Sequence, residues 1–129
     1  MPPPERIDDP SVSDNERLWR RVHPRDIIRD PESGELRPTS AAFRPSDEMS
    51  VDIGSLTTAE AVLSNYPHHS LIEFTAGIVR KEGGIVVRDP LPDNHSHALV
   101  CGKNPEGRLT KSQAKKIQQS STWVIRKTP

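Results

Sequence analysis

Proline constrains this chain more than any other residue type. Thirteen prolines stand among 129 residues, at both ends and between the apolar stretches. Each fixes its own φ, removes a backbone donor and pushes the residue before it away from helix. "RLWRRVHP" therefore stops at Pro24, and "SLTTAEAVLSNYP" stops at Pro67. Only 32% of the residues are hydrophobic, so the core is modest and the loops are long. The length suits one domain. The expected class is α+β: a single small domain, mainly antiparallel sheet, with one mid-chain helix and one late basic helix.

The elements follow from local pattern. Residues 1–16 are rich in proline and acid with little to bury, and are expected to form a flexible arm. Residues 17–126 form the domain and 127–129 a short tail. "RLWRRV" reads as a strand with no cleanly apolar face, expected at a sheet edge or mouth. "DPESG" is a turn. "SAAFRPSDEMSVDIG" reads as two extended pieces, Ser40–Arg44 and Met49–Ile53, joined by turn chemistry. A helix begins at Thr57 or Ser55, with Glu60 at capping-box spacing from Thr57. "SLIEFTAGIVRKEGGIVVRDPL" reads as a hairpin, Leu71–Val79 against Ile85–Arg88, with "KEGG" as its turn. "HALVCGK" is a further strand. "LTKSQAKKIQQSS" is a helix with Thr110 as N-cap and Gln113 at capping-box spacing, and "TWVI" is a final strand.

Charge is balanced overall but not along the chain. Residues 1–64 carry eight basic against thirteen acidic side chains, net −5; residues 65–129 carry ten against five, net +5. No apolar run approaches the roughly 18–20 residues of a membrane span. "MPPPERIDDPSVSDNE" has no apolar signal region. The single Cys101 has no partner for an internal disulfide. A cytoplasmic setting without membrane contact is therefore expected.

Three constellations bear on function. In the first, His95, His97 and Cys101 share strand parity. They admit a zinc reading, a reading of His95 and His97 as a polar rim around an anionic ligand, and a reading of Cys101 as a small core residue. Leu99 lies between the ligands and no second cysteine completes a tetrahedron, so no metal is expected. In the second, Arg37 stands beside Thr39 and Ser40, where a guanidinium fork and hydroxyls suit a phosphate or carboxylate. Ser50 lies near the acidic pair Asp47 and Glu48, without a Gly-x-Ser-x-Gly elbow. The third is the clearest basic patch: Lys111, Lys115 and Lys116 on the last helix, with Lys103 and Arg108 before it.

Taken together, "LWRRVHP", "SGELRPTSAAF", "MSVD" and "DPLPDNHSHALVCGK" resemble an uncharacterised family of small bacterial proteins over roughly residues 18–125. Much more faintly, their order is similar to the RES-domain members of the ADP-ribosyltransferase-like toxins. There, an Arg on the first strand, a Ser on a later strand and a following Glu handle NAD. The resemblance implies Arg20 or Arg21, Ser40 or Ser50, and Glu60 or Glu73 in those roles.

Two function classes follow. One is an interaction or accessory domain that binds an acidic protein or a nucleic acid through the late basic helix, with no cofactor. The other is an ADP-ribosyltransferase-like, nucleotide-binding or NAD-consuming enzyme with a polar Arg/Ser cleft at Arg20, Arg21, Arg37, Ser40, Ser50, His95 and His97. The second requires these residues to converge in one cleft; the first leaves them scattered.

Overall fold

A computed structural model of the chain describes residues 6–46 and 48–127. Asp47, residues 1–5 of the expected arm and residues 128–129 of the expected tail lie outside it. The described residues form an α+β domain. Eight strands run β1 (Arg17–Val22), β2 (Ile27–Arg29), β3 (Leu36–Pro38), β4 (Met49–Ile53), β5 (Ser70–Thr75), β6 (Ile85–Arg88), β7 (His97–Cys101) and β8 (Thr122–Ile125). Three α-helices are α1 (Ala59–Leu63), α2 (Ala76–Lys81) and α3 (Lys111–Ser120). Six strands make one antiparallel sheet in the order β6-β7-β4-β1-β5-β8, while β2 and β3 form a separate hairpin.

Strand alternation sends the two faces of the sheet to different tasks. Leu18 and Val22 of β1, Met49, Val51 and Ile53 of β4, Ile72 and Phe74 of β5, and Ala98 and Val100 of β7 face one side. There they meet Ala76 and Val79 of α2, Ala114 and Ile117 of α3, and Phe43, whose ring stands edge-on to Phe74 at 5.7 Å. This is the main core. The opposite face is only partly covered. Trp19 and Leu71 pack under Val62 and Leu63 of α1 in a small second cluster. The rest of that face is polar and open.

That second face explains one correction. β1 is not an edge strand: it lies between β4 and β5, paired from Leu18↔Ile53 and Trp19↔Asp52 on one side to Arg17↔Thr75 and Val22↔Ser70 on the other. Its mixed pattern reflects a core face and a polar face, not an edge.

The hairpin expected across "KEGG" is replaced by a helix. β5 ends at Thr75, whose hydroxyl accepts from Ile78 N at 3.3 Å and starts α2. Gly83 N then donates to Arg80 O and Gly84 N to Val79 O, which closes the helix in a Schellman motif with Gly83 at φ +90°. The two glycines thus stop a helix rather than turn a hairpin, and β6 pairs with β7 instead of β5.

Smaller differences have similar local causes. Ser40–Phe43 is a 3-10 turn, not an extended piece. The cap of α1 is Thr58, accepting from Ala61 N at 3.1 Å, one residue past the expected Thr57. Residues 6–16, expected to be a free arm, lie against the domain. Val12 is buried in the core, and Arg80 binds Asp8 and Asp14 at 3.1 and 2.8 Å. The Thr110–Gln113 capping box on α3 and the strands 49–53, 97–101 and 122–125 stand where the pattern put them. No helix among the described residues is long and apolar enough to cross a membrane.

Candidate functional site

The polar half of the second face opens into a cleft of about 530 Å³. Its floor comes from strands. Met49, Val51 and Ile53 take the core side of β4, which leaves Ser50 and Asp52 on the other side. Asp52 is registered with His97 on β7 and with Trp19 on β1, so Arg21, two residues on from Trp19, shares the same face. The walls are α1 with the residues flanking it, and the loop 91–96.

Ser50 and His97 meet diagonally across the β4–β7 pair, with Oγ 3.2 Å from Nε2. The other ring nitrogen of His97, Nδ1, lies 3.0 Å from the Asp89 carbonyl oxygen and 3.1 Å from its Oδ2. Both of those groups are acceptors, so Nδ1 carries the proton and Nε2 accepts the Ser50 hydroxyl. Asp89 N donates back to His97 O at 3.0 Å, which fixes the acid to the base it orients. The result is a hydroxyl, an imidazole and a carboxylate in line, with the histidine only 15% exposed.

Beside this relay sits a buried carboxylate. Asp52 Oδ1 accepts from Asn94 Nδ2 at 2.9 Å and from Ser96 Oγ at 2.8 Å, and its Oδ2 faces Arg21 Nη1 at 3.7 Å. A buried charge held by neutral donors and one cation is the arrangement that makes such burial tolerable. Arg21 also lies over the Tyr66 ring, 3.9 Å from its centroid. Leu56, Tyr66 and Leu91 are among the exposed large hydrophobic residues, and all three line the cleft. Apolar surface at the walls of a polar floor suits a small organic ligand.

Of the residues proposed from sequence, Arg21, Ser50, His95 and His97 line this cleft. The others do not. Arg20 points to the core side, donating from Nε to Ala42 O at 3.1 Å and from Nη1 to Ser50 O at 2.9 Å. It holds the 3-10 turn against β4, and burial pulls its pKa down, with the charge of Arg21 adding to the effect. Arg37 pairs with Asp30 inside the β2–β3 hairpin at 3.2 Å, and Ser40 is exposed at the start of its turn. Glu60 is exposed on α1, and Glu73 accepts from Trp19 Nε1 at 3.0 Å; neither lines the cleft.

His95, His97 and Cys101 do not gather on a common ligand. Cys101 Sγ donates instead to Glu48 Oε2 at 3.3 Å, and burial, reinforced by that carboxylate, pushes its thiol up to about 12. Among the described residues no group of three or more His, Cys, Asp or Glu side chains is placed to hold a metal ion.

The basic patch is thinner than its sequence. Lys111, Lys115 and Lys116 are exposed on α3, opposite Ala114 and Ile117, and Lys103 is exposed in the loop before it. Arg108 is turned inward, donating to Pro45 O at 2.9 Å and Arg44 O at 3.3 Å, so it ties two loops together rather than facing a partner.

Sequence reasoning missed Asp89, Asp52, Asn94, Ser96 and Tyr66. The one available signal was the alternation in "MSVDI", which puts Ser50 and Asp52 together on the face away from the core. Comparison with protein-family models, with curated proteins and with solved structures found no match.

Proposed function

We propose that the chain is a small enzyme that handles a nucleotide-type ligand in the cleft over β4 and β7. The observation that carries this reading is the convergence of Ser50, His97 and Arg21 from three separate strands, with Asp89 behind the histidine. A relay of this kind makes Nε2 of His97 a base for a hydroxyl group or a water held beside Ser50. Arg21 supplies the cation for a phosphate, and Leu56, Tyr66 and Leu91 supply apolar surface for a ring. With NAD as the substrate, the water oxygen bonds to the ribose anomeric carbon as the glycosidic bond breaks. Nicotinamide leaves with the bonding pair, and His97 takes the water proton.

The test is incubation of the full chain with NAD, following nicotinamide release by chromatography and ADP-ribose binding by calorimetry. His97→Gln is expected to abolish release while ADP-ribose still binds, and Arg21→Gln to weaken that binding. Absence of both turnover and binding at millimolar ligand sinks the reading.

A second reading rests on α3. Lys111, Lys115 and Lys116 have no carboxylate partner among the described residues, which supports contact with an acidic protein or a nucleic acid. It concerns a different surface and is tested separately below.

A further inference from the structure

A second cavity, of about 370 Å³, opens where β1 runs out into the turn Pro24–Asp26. Its lining includes Arg20, Arg21 and Arg25, together with His23 and His69. Asp26 is the one carboxylate residue in that lining. The histidines are brought together by the β1–β5 register: Val22 stands opposite Ser70, so the residues beyond that rung, His23 and His69, come alongside. Their ring centroids are 5.2 Å apart at 86°. His69 in turn stands edge-on to Tyr66 at 5.1 Å.

We infer that this basic cavity is a phosphate-binding site, and that it seats the phosphate of a ligand whose remainder lies in the cleft.

Three observations support the inference. First, basic groups outnumber acidic ones: three arginines and two histidines line the cavity against one carboxylate residue, Asp26, which acts on Arg20. Arg20 spends its donors on two carbonyl oxygens, which satisfy hydrogen bonds without neutralising charge. Arg25 makes no side-chain hydrogen bond or ion pair among the described residues, and Arg21 has its carboxylate only at 3.7 Å. An excess of cations in a concavity attracts an anion from solution.

Second, the donors are set for an acceptor ligand. His23 Nδ1 accepts from Arg25 N at 3.1 Å, so its proton sits on Nε2, free to donate. Arg25 adds a planar fork of the kind that binds phosphate in bidentate fashion. His69 stands among His23, Arg21, Lys127 and His68; burial, and then these basic neighbours, hold its pKa below 6.5. An anion in the cavity reverses the second of those causes.

Third, Arg21 and Tyr66 line both cavities. One ligand can therefore keep a phosphate among Arg25, His23 and His69 and present a hydroxyl-bearing part to Ser50 and His97. A lone phosphate underfills a cavity of this size, which favours a diphosphate or a phosphorylated sugar. This spanning geometry rests on the cleft reading; anion binding in the basic cavity does not.

The test follows the histidine resonances of the full chain by NMR during titration with inorganic phosphate, pyrophosphate and then ADP-ribose. Pyrophosphate is expected to shift His23 and His69, leave His97 in place and raise the apparent pKa of His69. ADP-ribose is expected to shift all three. Arg25→Gln, an exposed residue whose side chain holds nothing in the fold, is expected to weaken pyrophosphate binding by about tenfold or more. No movement of His23 or His69 with pyrophosphate to about 10 mM, or an affinity unchanged by Arg25→Gln, overturns the inference. If pyrophosphate binds this way and NAD is neither bound nor turned over, the basic cavity stands and the cleft reading falls. If NAD is turned over and Arg25→Gln changes nothing, the basic cavity falls and the cleft reading stands.

Discussion

Ser50 Oγ and His97 Nε2 stand 3.2 Å apart although 47 residues of chain separate them. The contact exists because β4 and β7 pair with Asp52 opposite His97, and because the core claims the alternate residues of both strands. The carboxylate behind the pair places a negative charge 3.1 Å from His97 Nδ1, on the side of the ring away from Ser50. Asp89→Asn keeps the backbone acceptor for Nδ1 and removes that charge. Turnover is expected to fall by about a hundredfold, within the range of a positioned acid–base pair, with ADP-ribose binding unchanged. Turnover assays paired with calorimetry separate this from a loss of fold.

The pair Arg6–Glu48 predicts how the domain behaves in acid. Glu48 accepts from Arg6 Nε at 2.6 Å and Nη2 at 3.2 Å, and the Arg6 hydrogen bond holds its pKa below the ordinary 4.5. The folded state therefore gives up this proton more readily than the unfolded chain. The resulting stabilisation is complete above pH 4.5 and is lost as the pH falls through the lowered folded value. Arg6→Gln is expected to cost up to about 1 kcal/mol near neutrality, and the cost shrinks as the pH falls through the lowered folded value. Urea unfolding of both proteins across that range checks the difference.

Gly102 has no room for a side chain. A Cβ placed there overlaps Arg108 O and comes within 2.7 Å of Arg108 C, and both are backbone atoms that cannot rotate away. Gly102→Ala must push apart the segment 102–109, whose closure includes the Gly102 N to Gly107 O bond at 2.8 Å. The expected cost is about 2–4 kcal/mol, with a lowered thermal midpoint. An unchanged midpoint contradicts the packing described for this loop.

The α3 surface makes a different kind of prediction. Replacing Lys111, Lys115 and Lys116 together with Gln is expected to leave stability within about 0.5 kcal/mol, because solvated lysines contribute little. Recovery of an acidic partner, or of nucleic acid, is expected to drop at low salt, with the difference shrinking as salt rises. Equal recovery by both proteins at low salt removes α3 as a docking surface.

What the sequence showed, and what it hid, divides by range of interaction. α3 was legible because everything that defines it is local: the Thr110 cap, the Gln113 return bond and the Ala114–Ile117 spacing. β4, β7 and β8 were legible as short apolar or alternating runs. α2 was hidden because "LIEFTAGIVR" is rich in β-branched and other apolar residues, which favour strand unless a cap intervenes. The Thr75 cap and the Gly83–Gly84 close decide the matter, and both also suit a hairpin when read as residues alone. β1 reads as an edge or mouth strand because an arginine interrupts each face: Arg20 is spent on Ala42 O and Ser50 O, and Arg21 lines the cleft. At the site, Arg21, Ser50, His95 and His97 were visible as chemical types. Asp89 and Asp52 were not, since their roles depend on which strand pairs with which.

The segment before β1 has a consequence for how copies of this protein behave toward one another. β6 closes one end of the six-stranded sheet, and at Val86 its outward backbone groups are occupied: Asp9 N donates to Val86 O at 2.8 Å and Val86 N donates to Asp8 Oδ1 at 2.9 Å. A bare strand edge is a template for addition of another strand, and here the chain's own beginning blocks it with two acids and a buried valine, Val12. Removing residues 1–12 therefore does more than loosen the core. It uncovers a β-edge, and the shortened protein is expected to self-associate with rising concentration in sedimentation experiments while the intact chain does not.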